Sequence, residues 1–182
     1  MKPSSLNTFK VLAGTFMSLM AGFVVVGSKI FDPSTQFFHF ILAGFLISLM
    51  WIPLRRLYKA GVVIVIFLLY KGFLAPPFLD FFWRDVFYFL IFFLLSFVSP
   101  TVIQNWKISR PVSRFIFGGV VTGIGYILAA LAIFLVYRTY HWEIGSMIKA
   151  NLIYGLTIGL AVQLGFEIIN VIEMYVNDRK AD

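Results

Sequence analysis

Six long apolar stretches, separated by short charged segments, account for almost the whole of this 182-residue chain. About 20 apolar residues suffice for an α-helix to cross the roughly 30 Å hydrocarbon core of a bilayer. A helix also satisfies its own backbone donors and acceptors, which the bilayer interior requires. The pattern therefore predicts an all-α polytopic membrane protein, with one transmembrane domain of six helices over residues 1–182.

The six predicted helices are named span 1 to span 6 in chain order. The end of span 1 is similar to a signal-peptide cleavage site, but we expect span 1 to be retained as a true helix. The first five spans cover residues 11–28, 36–54, 60–78, 86–105 and 115–137, and span 6 starts at residue 149 and fades between residues 167 and 175.

The composition supports this class and excludes others. Apolar residues make up 60% of the chain and charged residues only 13%, whereas a soluble domain is about half apolar and about a quarter charged. The net charge is +7, but the basic residues sit in short loops between spans. We therefore expect the lipid bilayer, and no nucleic acid, as a partner.

The basic residues also predict the orientation, because short cytoplasmic loops carry an excess of Lys and Arg. With the N-terminus inside, ten basic residues fall on the inner side and five on the outer side. We therefore expect a multi-pass protein of the cell membrane (plasma or inner) with both termini in the cytoplasm. The inner set is Lys2, Lys10, Arg55, Arg56, Lys59, Lys107, Arg110, Arg114, Arg179 and Lys180, and the outer set is Lys29, Lys71, Arg84, Arg138 and Lys149.

The chain lacks the residue patterns of the common membrane enzymes. It has no cysteine, and its two histidines, His39 and His141, lie far apart. There is no His-Glu-x-x-His motif and no P-loop, and Asp80 and Asp85 lie at a membrane surface rather than at the depth that intramembrane aspartyl chemistry needs. We therefore expect no enzymatic activity, no metal site and no cofactor.

Small residues recur at four-residue spacing in three spans. Such stripes let membrane helices approach closely, so they predict either internal packing of the bundle or a face that receives a partner helix. Span 1 is the better candidate for a partner face, because large apolar residues flank its stripe. The stripes are Gly14, Ser18 and Gly22 in span 1, Gly119 and Gly123 in span 5, and Gly155 and Gly159 in span 6.

One side of span 6 is small or polar from end to end. Because lipid penalises exposed polar groups, we expect this side to face the bundle or a wet cavity, with Gln163 buried at membrane depth. Glu167 lies near the inner interface, where it is either a solvated carboxylate or pairs with a basic residue and lines a path. The residues of this side are Asn151, Gly155, Gly159, Gln163, Glu167 and Asn170.

A charged cluster is predicted at the outer end of spans 3 and 4. Asp80, Arg84 and Asp85 follow Pro76-Pro77, and Lys71 lies one to two helical turns away. The cluster is either a capped, salt-bridged hairpin or the lip of a ligand site in which Arg84 meets an anionic group.

Six spans, both termini inside and a length near 180 residues resemble the substrate-binding subunits of energy-coupling-factor vitamin transporters. The small-residue face of span 1 is similar to the face that those subunits offer to their partner. The resemblance implies a membrane transport component that binds a small molecule and works with a partner subunit. The alternative is a non-catalytic scaffold or assembly subunit of a larger membrane complex, because polar residues within the spans are scarce. Besides the bilayer, we expect a protein partner subunit or a homo-oligomer.

Overall fold

The computed structural model describes residues 3–27, 36–52, 55–69, 90, 111–136 and 144–178. All regular structure within these residues is α-helical, and they form five helices. α4 corresponds to span 5 and α5 to span 6, while span 4, except for Leu90, lies outside the described residues. The helices are α1 (Pro3–Gly27), α2 (Gln36–Trp51), α3 (Arg56–Leu69), α4 (Pro111–Val136) and α5 (Ile144–Asp178).

Three of these helices are long and apolar enough to cross a membrane: Ser5–Val25, Pro111–Ala132 and Ile148–Asp178. Two shorter apolar helical segments, Phe40–Trp51 and Leu57–Leu69, accompany them. The expected all-helical class is thus confirmed, and the three long apolar helices are consistent with a protein embedded in a membrane. The count of six spans and the orientation of the termini remain predictions.

α1 and α5 both extend beyond the predicted spans. α1 begins at Pro3 rather than at residue 11, and α5 continues to Asp178. The 35 residues of α5 make a helix of about 52 Å at 1.5 Å per residue. The apolar pattern underestimates both helices because it marks only the hydrocarbon-crossing part. Their polar ends stay helical beyond it, and proline is well suited to the first position of a helix.

The hydrophobic core lies where α2 and α5 meet α1. α1 packs against both α2 and α5, and α4 packs along α5. α2 is largely buried, with Phe40, Leu46 and Ile47 almost completely covered. Ile158 and Val162 of α5 are fully buried in the same cluster.

In this cluster α1 runs antiparallel to α2 and to α5, and α4 runs antiparallel to α5. Gly14 of α1 contacts Ser48 of α2, while Gly22 contacts Phe40, so the numbering rises on one helix as it falls on the other. The same comparison holds for α4 with α5. α5 is antiparallel to α1 because Gly14 also faces Phe166, whereas Phe40, at the level of Gly22, packs against Tyr154. As a result, the start of α1, the end of α2, the start of α4 and the end of α5 share one end of the cluster, which we call the Lys59 end.

Candidate functional site: the α4–α5 seam

The line of contact between α4 and α5 is built from small and polar residues, and we call it the α4–α5 seam. α4 contributes Arg114, Gly118, Thr122 and Gly123, and α5 contributes Gly155, Gly159, Gln163 and Glu167.

The backbones of α4 and α5 come very close along the part of the seam that lies away from the Lys59 end. A Cβ placed on Gly159 would lie 2.7 Å from the Gly118 carbonyl oxygen, and one on Gly155 would lie 2.7 Å from the Gly123 Cα. Thr122, between them, donates its hydroxyl proton to the Gly118 carbonyl at 2.7 Å. No larger residue fits at Gly155 or Gly159 unless the helices move apart. This close approach explains the four-residue spacing of the two glycines.

Gln163 is the polar side chain at depth in the seam. Its residue is only 5% exposed, and its side chain lies across Gly118, with Nε2 2.7 Å from where a Cβ of Gly118 would stand. Nε2 has no hydrogen-bond partner within the described part of the chain. A buried donor without an acceptor is costly, so this amide nitrogen is an unsatisfied donor within the seam.

An ion pair lies one helical turn closer to the Lys59 end. The distance from Arg114 Nε to Glu167 Oε1 is 3.2 Å, and Arg114 Nη2 donates to Glu167 Oε2 at 3.3 Å. Asn170 Nδ2 also donates to Glu167 Oε2, at 3.2 Å. Nε is close to Oε1 but poorly aligned with it, so among the described residues it makes the charge contact without a hydrogen bond.

Glu167 is thus paired rather than freely solvated, and its side chain is 18% exposed against 38% for Arg114. The sequence left both alternatives open for Glu167 and treated Arg114 only as a loop base. Spacing along α5 shows which residues share a face with Glu167. It carries no information on which residue of another helix faces them.

The small-residue stripe of α1 is covered by α2. A Cβ on Gly22 would lie 2.8 Å from the ring of Phe40, and Ser18, fully buried, donates its hydroxyl proton to the Phe40 carbonyl at 2.7 Å. Gly14 faces Ser48 and Phe166. Of the two interpretations of this stripe, internal packing therefore describes the structure, and the expected partner face on α1 is not open here.

The stripe of α4 receives leucine side chains. A Cβ on Gly119 would lie 2.6 Å from Leu160, and one on Gly123 would lie 3.2 Å from Leu156. These two glycines make room for bulky residues of α5, whereas Gly155 and Gly159 admit backbone.

Two residues in this architecture escaped the sequence analysis. Gly165 lies outside the four-residue stripe, yet a Cβ there would lie 2.7 Å from backbone atoms of Ala13 and Gly14. Lys59, counted as a loop base, is fully buried, and its Nζ donates to the Met50 carbonyl. The sequence offers a partial signal for this contact, because the last carbonyls of a helix lack partners within it and a nearby lysine can donate to them.

The outer cluster of the sequence analysis lies outside the described residues. Its members are Lys71, Asp80, Arg84 and Asp85. The residues that the structure brings together are therefore those of α4 and α5, at and near the Lys59 end.

Comparison with protein-family models, with curated protein sequences and with solved structures gave no match. The likeness to substrate-binding transporter subunits accordingly rests on length, topology and the small-residue face alone.

Proposed function

We propose that this protein is a membrane transport component that binds a small molecule, with the α4–α5 seam as its binding region. The observation that carries the proposal is the Arg114–Glu167 ion pair, set between two apolar helices. Ionisable residues within membrane helices are costly, and they tend to mark substrate or ion pathways. Asn170 and the buried Gln163 extend the polar surface to either side of the pair.

Binding of a small molecule requires a polar group that can still form a hydrogen bond with it. Gln163 provides one, because its buried Nε2 lacks an acceptor among the described residues. Glycine at residues 118 and 159 gives the two helices little side-chain bulk at this level. A small relative movement of α4 and α5 would therefore change the space in front of the amide.

We further propose the six-span topology in the cell membrane, with both termini in the cytoplasm. Lys59 of α3 binds the Met50 carbonyl at the end of α2, and Trp51 packs edge-on against Phe117 of α4, with ring centroids 6.2 Å apart. α3 and α4 thus begin at the same end of the cluster. In the proposed topology the chain from the start of α3 to the start of α4 crosses the membrane twice, once in α3 and once in span 4, which gives six spans.

The charges of the Lys59 end agree with a cytoplasmic placement. Lys10, Arg55, Lys59 and Arg114 all lie there, and basic residues favour the inner side. This placement puts the Arg114–Glu167 pair near the inner interface, where it closes the inner end of the seam.

The alternative function is a scaffold or assembly subunit, and a different observation favours it. The face of α4 away from α5 is a continuous row of exposed branched residues, including Ile116, Val120, Ile124 and Leu128. Such a row suits a partner helix of another subunit or of a second copy as well as it suits lipid. In this reading the polar residues of the seam only fix the packing of α4 on α5.

Native mass spectrometry of the protein purified in mild detergent distinguishes the two functions. Transport predicts a small molecule bound to the parent protein, lost in Gln163→Leu and retained in Ile124→Leu, a matched change on the exposed face of α4. A parent that carries no small molecule but retains another polypeptide chain, or a second copy, would replace the transport proposal with the scaffold one.

A further inference from the structure

Two nitrogen donors in the α4–α5 seam make no hydrogen bond within the described residues: Gln163 Nε2, and Arg114 Nε, which lies 3.2 Å from Glu167 Oε1 without bonding to it. Gln163 contacts Gly118, and Arg114 precedes Gly118 by one helical turn. Arg114 and Gln163 therefore lie about one helical turn, about 5.4 Å, apart along the seam. Both groups can only donate, since an amide nitrogen and a guanidinium nitrogen carry no acceptor lone pair.

We propose that this pair of donors binds a carboxylate, one oxygen on Gln163 Nε2 and the other on Arg114 Nε. A carboxylate that lies between the two residues can accept one hydrogen bond of about 2.9 Å on each oxygen. A neutral donor and a cationic donor together complement an anion with two oxygens. The inference rests on the transport proposal and narrows its small molecule to one that carries a carboxylate group.

Glu167 determines whether a change at its own position strengthens or weakens carboxylate binding. Its carboxylate already contacts Arg114 and accepts from Asn170, so a ligand carboxylate competes with it for the guanidinium and is repelled by its charge. Removing the charge of Glu167 should therefore strengthen carboxylate binding. A purely structural role for the ion pair would not produce that gain.

Gln163 is also accessible to direct observation. The chain contains three glutamines, Gln36, Gln104 and Gln163. Selective ¹⁵N labelling of glutamine side chains gives three amide signals by NMR in detergent micelles, and Gln163→Met assigns the one from the seam. Sodium acetate serves as the carboxylate probe, with sodium chloride at equal ionic strength as the reference and acetamide as a neutral acceptor.

Acetate should shift the Gln163 signal saturably while leaving Gln36 and Gln104 unchanged. Arg114→Lys, which keeps the charge but removes Nε, should weaken the acetate affinity by about tenfold, the loss of one charge-assisted hydrogen bond. Glu167→Gln should tighten it by a similar factor. Acetamide should bind more weakly than acetate.

The inference is overturned if acetate and chloride act alike on the Gln163 signal. It is also overturned by a long-lived water contact to the amide that acetate does not displace, since a water molecule then fills the site. The Gln163 signal could also change in the Glu167→Gln variant without acetate and then fail to respond to acetate. That result would identify Glu167 as the acceptor for the Gln163 amide and would overturn the inference. A molecule without a carboxylate found by mass spectrometry would overturn this inference and leave the transport proposal standing.

Discussion

Gly165 of α5 contacts the backbone of Gly14 on α1, and a Cβ at Gly165 would lie 2.7 Å from the Gly14 amide nitrogen. A side chain there would push α1 and α5 apart, so Gly165→Val should lower the free energy of unfolding by about 1–3 kcal/mol, the usual cost of overpacking. Denaturant titration in micelles measures it. Leu164→Val, at a position 42% exposed, is the control and should stay within about 0.5 kcal/mol. Equal effects of the two changes would show that α1 and α5 do not touch at Gly165.

This contact also shows where sequence reasoning stops. The apolar pattern identified the segments that became α1, α2, α4 and α5, and the spacing along span 6 identified the polar side of α5. Periodicity assigns residues to a face of one helix, but the helix that covers that face depends on how all the helices assemble. Gly165, which meets α1 rather than α4, could not be found in that way.

The ion pair and the buried lysine fall under the same limit. Arg114 and Lys59 are basic residues near helix ends, and charge alone assigns both to loops. Their partners, Glu167 and the Met50 carbonyl, lie on other helices. Whether the stripe of α1 receives a partner likewise depends on how the helices assemble, and in this structure α2 covers it.

The α1 stripe offers a second test of internal packing. The double variant Gly14→Leu with Gly22→Leu should fail to fold, because both positions are filled by α2 and α5 side chains. A control double variant on the exposed face, Phe16→Leu with Phe23→Leu, should fold normally. Size-exclusion chromatography in detergent reports the outcome, and a glycine variant that elutes like the parent would mean that α2 does not pack on this stripe.

Gln163 should behave as a cost to stability rather than a contribution. A membrane interhelical hydrogen bond contributes about 0.6–2 kcal/mol, but Gln163 Nε2 has no acceptor within the described residues. We therefore expect Gln163→Leu to raise the free energy of unfolding in the absence of ligand, by about 1–3 kcal/mol.

The control for this prediction is Thr122→Val in the same seam. It removes a hydroxyl that does donate, to the Gly118 carbonyl at 2.7 Å, and should lower stability by about 0.5–1.5 kcal/mol. Two losses of similar size would indicate that Gln163 is bonded between helices, which also removes one of the two donors of the proposed carboxylate site.

The six-span topology predicts which positions an impermeant thiol reagent can reach. The chain has no cysteine, so each single cysteine reports on itself. In intact cells Phe82→Cys and Ile144→Cys should be labelled, while Leu57→Cys and Ala181→Cys should be labelled only after the cells are opened. The reverse pattern would place the Lys59 end outside. Labelling of both Phe82→Cys and Leu57→Cys in intact cells would contradict a membrane crossing by α3.

The proposed binding region exists only if Gly118 and Gln163 face each other across the α4–α5 seam. The Gln163 side chain fills the space of the missing Gly118 Cβ, so cysteines at these two positions should reach the Cβ separation of about 3.8 Å that a disulfide requires.

Mild oxidation of the Gly118→Cys, Gln163→Cys variant in native membranes, followed by cleavage in the α4–α5 loop, is the most direct measurement. The account predicts that the two fragments stay joined until a reductant is added, while Val120→Cys with Gln163→Cys, on the exposed face of α4, separates at once. Fragments that separate in both variants, or stay joined in both, would contradict the seam.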